Sequence, residues 1–143
     1  MGQTSANILD KPFSMEMANS LDELERPRRF CRDVVAAVWP NEDHNDIADR
    51  VQLAIVEAIS NVIRHGSVKN SDDPIQLQAF EENQDLVFEI SHKGKTYSPG
   101  KTSPVLEPRE GGMGQFLIEQ CVDSVQYRSV AGLQRVIMRV KKS

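Results

Sequence analysis

Aromatic residues are scarce in this 143-residue chain: one tryptophan, two tyrosines and five phenylalanines, 6% of the total. Its core must therefore be mainly aliphatic. Cysteine is scarcer still. Cys31 and Cys121 are too few for a disulfide framework; two buried thiols in a reducing compartment are expected, the alternative being one disulfide between them. The three histidines, His44, His65 and His92, are scattered without metal-site spacing. Positive charge is in deficit, with a formal net charge of −4 and a pI near 5.4. That balance argues against a sequence-independent nucleic-acid binder, which needs a basic footprint, and leaves room only for a local basic patch. No apolar run approaches the ~20 residues of a membrane span. No basic segment followed by an apolar one marks a secretory leader. The expected location is the cytoplasm, away from membrane and without direct nucleic-acid contact. Nothing resembles a Walker A loop, and Gly112-x-Gly114 lacks the rest of a dinucleotide fingerprint.

What is present reads as one α/β domain. Residues 1–11 are polar and small, a flexible terminus; the domain spans 12–142. Phe13, Met15 and Met17 alternate as a short strand. Ser20 and Glu23 have capping-box spacing. Phe30, Cys31, Val34, Val35 and Val38 form a helical stripe, with Pro27 in its first turn and Pro40 after its end. A second helix follows from Asp43 or Asn45 as cap. Its stripe is Ile47, Val51, Ala54, Ile55, Ala58, Ile59 and Val62, and Gly66 stands at the position of a left-handed cap. Ile75, Leu77 and Ala79 alternate, then a polar turn over 81–85, then Leu86, Phe88 and Ile90, a hairpin. His92 continues the parity of that last strand and is expected on the core face. Residues 93–112 hold glycines and prolines without periodicity, a long loop of the functional kind. Met113, Phe116, Leu117, Ile118 and Cys121 open a short helix. Val125, Tyr127 and Ser129 lead to an Ala131-Gly132 turn and a last strand, Leu133 to Val140.

Two segments carry the chemistry. In the first, Glu57, Asn61 and His65 are spaced i, i+4, i+8 and stack along one side of the second helix. The second, Arg109-Glu110-Gly111-Gly112-Met113-Gly114, is a glycine-rich turn opening a helix, where backbone can approach phosphate. Each piece alone has an ordinary reading: a solvated helix face, a histidine favouring a helix C-terminus, a glycine loop.

In this order and spacing the segments resemble the GHKL ATPase superfamily, and within it the bacterial anti-sigma-factor serine/threonine kinases of partner-switching systems. The resemblance covers roughly residues 12–142. It implies an α/β (α+β) two-layer sandwich of Bergerat type, a mixed, mainly antiparallel sheet covered on one face by helices. It also implies a mobile lid at about 95–112. Glu57 matches the family's general base, and Asn61 its magnesium ligand. His65, His92, Gly94, Arg109, Gly111, Gly112 and Gly114 fall at positions that hold ATP. Where the family has an aspartate that accepts from the adenine amino group, this chain has His92. A neutral imidazole can still accept; a protonated one cannot. Thr96 and Gln115 also depart from the usual glycine and apolar residue.

The resemblance implies a serine/threonine protein kinase using ATP and Mg2+. It would bind a sigma factor or other target and phosphorylate an antagonist protein. The N-terminal strand and first helix are the expected surfaces of a homodimer. The alternative is the same fold with weak or absent catalysis, regulating by sequestration of a protein partner. His92 favours that alternative; intact Glu57 and Asn61 favour the kinase.

Overall fold

Five alternating segments become strands in the computed structural model, which describes residues 13–40, 45–66, 73–94 and 110–142. They are β1 (Phe13–Met17), β2 (Ile75–Glu82), β3 (Asp85–Lys93), β4 (Ser124–Val130) and β5 (Leu133–Val140). The spatial order is β1-β2-β3-β5-β4, and every pairing is antiparallel. The mixed sheet expected from the sequence is therefore antiparallel throughout. β3 and β4 do run parallel, but β5 fills the gap between them, so no parallel neighbours meet.

Two hairpins set the register. Asn83 and Gln84 have φ of 53° and 72°, and Ala131 and Gly132 have 51° and 81°. Paired positive φ angles give two-residue turns whose twist suits the flanking strands. The first turn is shorter than the expected 81–85, because the ladder continues through Glu81↔Leu86 and Glu82↔Asp85. Arg139 on β5 pairs with both Glu82 and Asp85, fastening this hairpin to its neighbour.

On one face the cross-strand rows are apolar. Ala79, Phe88 and Met138 align, as do Leu77, Ile90 and Val136. All six are at most 3% exposed. Each large side chain so buried contributes about 1.5–3 kcal/mol. His92 pairs with Gln134 two positions along from the Ile90–Val136 pair, so it does share the core face. The central strand β3 is buried on its other face too, at Val87, Glu89 and Ser91.

The helices cover the apolar face. Helix α1 (Glu25–Val38) buries Cys31, Val34 and Val35 and carries Pro27 in its first turn, where a missing N–H costs nothing. A 3-10 turn, Leu21–Glu23, precedes it. Ser20 Oγ accepts from the Asp22 N–H at 3.1 Å, but the Glu23 carboxylate accepts from Ala18 at 3.0 Å. The expected capping box is thus not closed, since the Ser20 N–H is already donated to the Ala18 carbonyl.

Helix α2 (Asn45–Asn61) buries the predicted stripe from Ile47 to Ile59; Asn45, offered as a cap, is its first helical residue, and Asp43 lies outside the described residues. It ends in a π-helical turn, Val62–Gly66, rather than running on as α-helix to a capping glycine. Helix α3 (Glu110–Cys121) completes the layer. Cys31 and Cys121 are buried and free. Desolvation raises both thiols, so neither is a nucleophile at neutral pH. No described helix is long and apolar enough to cross a membrane.

Candidate functional site

Helix α3 lies along α2 in the opposite direction. Its start meets Glu57 and Asn61 near the end of α2, while the Cys121 carbonyl at its other end accepts from Arg50 Nη1 at 3.2 Å. The closest approach is at Gly114. A Cβ there would stand 2.9 Å from Glu57 Oε2 and 3.4 and 3.5 Å from Asn61 Nδ2 and Oδ1. Glycine is what lets the α3 backbone reach both side chains. Two segments separated by some fifty residues in sequence thus form one wall.

Asn61 is 5% exposed, yet its Nδ2 has no hydrogen-bond partner among the described residues. A buried, unpaired amide N–H group costs about 1–3 kcal/mol, and such groups mark places where a ligand completes the set. The π turn begins at the next residue. Such turns interrupt α-helical spacing and are frequent at functional sites. This one takes His65 off the Glu57–Asn61 line that i+8 spacing drew, and His65 is exposed.

Two further expected site residues, His92 and Gly94, lie at the end of β3. His92 is 3% exposed, and its Nδ1 stands 3.3 Å from the Lys93 carbonyl. A carbonyl only accepts, so the neutral ring carries its proton on Nδ1 and presents Nε2 as an acceptor. Desolvation holds its pKa below the ordinary histidine value and outweighs the opposing pull of that carbonyl. Ring and partners form a polar row on the otherwise apolar face: His92 pairs with Gln134, and Gln134 with Ser129. Gln134 Nε2 donates to Ser129 Oγ at 3.0 Å and reaches the Gly94 carbonyl at 3.5 Å. Gly94 has φ of 137°, a conformation that excludes most side chains.

The structure therefore brings Glu57, Asn61 and Gly114 together, with Gly111 and Gly112 in the first turn of α3 and His92 and Gly94 at the end of β3. Arg109 and residues 95–109 of the expected lid lie outside the described residues. Sequence reasoning missed Gln134, Ser129 and Tyr127, which reach the site's surroundings only through strand pairing. Tyr127 Oη donates to Gln115 Oε1 at 2.6 Å, and Gln115 Nε2 donates to Glu119 Oε2 at 3.0 Å. The glutamine in place of an apolar residue is thereby satisfied at 3% exposure.

A wall of this kind, with an unpaired buried amide N–H group and helical glycines beside it, suits a phosphorylated nucleotide. Comparison with known proteins agrees. The family model described as the histidine kinase-like ATPase domain matches residues 17–140. The serine-protein kinase RsbW of Staphylococcus epidermidis is 32% identical over 111 residues, covering 69% of this chain and 69% of that protein. The Staphylococcus aureus RsbW is 31% identical over 101 residues, 63% of each. Among solved structures, one of RsbU and RsbW domains from Mycobacterium tuberculosis superposes with a TM-score of 0.65 at 16% identity. It covers 92% of this chain, which spans about a third (32%) of that one. A histidine kinase domain from Erythrobacter litoralis gives 0.51 at 13% identity, over 79% of this chain and 59% of its own. At these identities the two structures share the fold.

Proposed function

Because the chain belongs to the histidine kinase-like ATPase domain family, we propose that it is a partner-switching serine/threonine protein kinase of the anti-sigma type. It binds a sigma factor or other target and phosphorylates a small antagonist protein on serine or threonine. The observation that carries the reading is the packing of Gly114 onto Glu57 and Asn61, with Asn61 Nδ2 buried and without a partner among the described residues. Relatives at 31–32% identity that are named serine-protein kinases support it.

Each residue has a defined task. Asn61 offers a neutral oxygen to magnesium, a hard cation that also takes phosphate oxygens and water. When bound, Mg-ATP supplies the activated phosphoryl group. The first turn of α3, with Gly111, Gly112 and Gly114, turns backbone N–H groups and positive helix potential toward phosphate. Glu57 takes the proton from the substrate hydroxyl as its oxygen bonds to the γ-phosphorus and the bond to ADP breaks. His92 accepts from the adenine amino group through Nε2, in the tautomer set by the Lys93 carbonyl. His65 and Arg109 complete the nucleotide-binding set as proposed from the family pattern.

A second reading keeps the fold and partner binding but reduces catalysis, and His92 favours it. Losing a hydrogen bond to a charged acceptor costs roughly 1.5–3 kcal/mol, or about 10- to 150-fold in affinity. Calorimetric titration with Mg-ATP separates the two. Binding by the wild type, abolished in Asn61→Ala, supports the kinase. Absence of wild-type binding, restored in His92→Asp, supports sequestration alone. No binding by either protein sinks the nucleotide site itself.

A further inference from the structure

We propose that Tyr127 is a positioning residue for the nucleotide site: through Gln115 it tethers the start of α3 to the edge strand β4. This rests on the nucleotide reading above. Gln115 directly follows Gly114, the residue pressed against Glu57 and Asn61. Its carboxamide is buried at 3% exposure, away from any main-chain ladder, and takes a 2.6 Å hydrogen bond from Tyr127 Oη. Its other end donates 3.0 Å to Glu119, one helical turn on. The chain of bonds runs from the sheet edge into α3 and along it.

Helix α3 is otherwise poorly prepared to hold its own first turns. Three of its first five positions are Gly111, Gly112 and Gly114, and glycine is the weakest helix former after proline. At the far end, Arg50 anchors the Cys121 carbonyl. At the near end, the described side-chain contact that ties α3 to the sheet is Tyr127 with Gln115. Tyr127 itself is partly buried against the core on β4, which pairs along its length with β5. The tether therefore joins a weak helix start to a rigid support. It orders the phosphate-facing turn before nucleotide arrives, so that binding does not bear the ordering cost.

The test compares wild type, Tyr127→Phe and Val125→Ala, the last a control that weakens the same strand beneath the core without touching Gln115. Calorimetry with Mg-ATP is expected to show Kd raised about fivefold in Tyr127→Phe, the equivalent of one ordinary hydrogen bond of about 1 kcal/mol. Val125→Ala is expected to keep the wild-type Kd although its melting temperature falls. Amide hydrogen exchange of the nucleotide-free proteins should show faster exchange across the first turns of α3 in Tyr127→Phe, and not in Val125→Ala. Equal Kd in Tyr127→Phe and wild type, or unchanged α3 exchange, would overturn the tether. Failure of the wild type to bind Mg-ATP would count against the nucleotide reading, while the exchange arm would still decide the tether.

Discussion

A single methyl group separates stability from function at Gly114. In Gly114→Ala the new Cβ falls 2.9 Å from Glu57 Oε2, the far end of a flexible side chain. Moving that carboxylate off its rotamer costs about 0.5–1.5 kcal/mol, and alanine in a helix returns about 1 kcal/mol. Urea denaturation is expected to show little change. Phosphoryl transfer, if Glu57 is the base, should fall on the order of tenfold or more. His92 makes the second prediction at this scale. Its folded pKa is lowered, so the unfolded chain takes up the proton first as pH falls below about 6.5. Stability from this residue is full above that value and is lost as pH drops through the folded pKa. His92→Gln should flatten that part of the curve in melting experiments. Mg-ATP affinity should hold through that window and weaken only as pH falls through the lowered folded pKa, since protonated imidazole has no acceptor. A series of titrations run downward from pH 7.5 checks it. Glu57, Asn61 and Gly114 were legible in sequence because helical spacing and glycine are local signals. Gln134 and Tyr127 were not, because their relation to the site is created by pairing with β5 and by packing across layers.

Among elements, the strands and helices followed from periodicity, and the differences are at their ends. The α2 terminus is a π turn, which no residue count along a stripe announces. The start of α1 is preceded by a 3-10 turn whose backbone bonds displace the capping box. The β4–β5 hairpin offers a direct test. Ala131 has φ of 51°, a left-handed conformation that costs an alanine about 1 kcal/mol or more. Asparagine is favoured at the first position of such a turn. Ala131→Asn is expected to raise stability by about 0.5–1 kcal/mol in urea titration.

For the molecule as a whole, ligand binding and stability are one quantity. Mg-ATP at a hundred times its Kd should add about 2.7 kcal/mol, a rise in melting temperature of about 5–11 °C for a domain of this size. A chain that only sequesters a partner would show none. The two-layer architecture and antiparallel bias were readable from the order of elements, but the strand order was not: alternation says which residues face inward and nothing of which strand lies beside which. That order has a consequence for how the chain comes to its shape. β5, the last strand in sequence, sits beside β3 in the interior of the sheet, and β4 waits outside it. Until residues 133–140 have left the ribosome, β3 presents an open, apolar edge, and α3 has no finished floor to settle on. Folding is therefore expected to complete only after synthesis of its final strand, with β3 the segment most exposed to mispairing or chaperone capture in the interval.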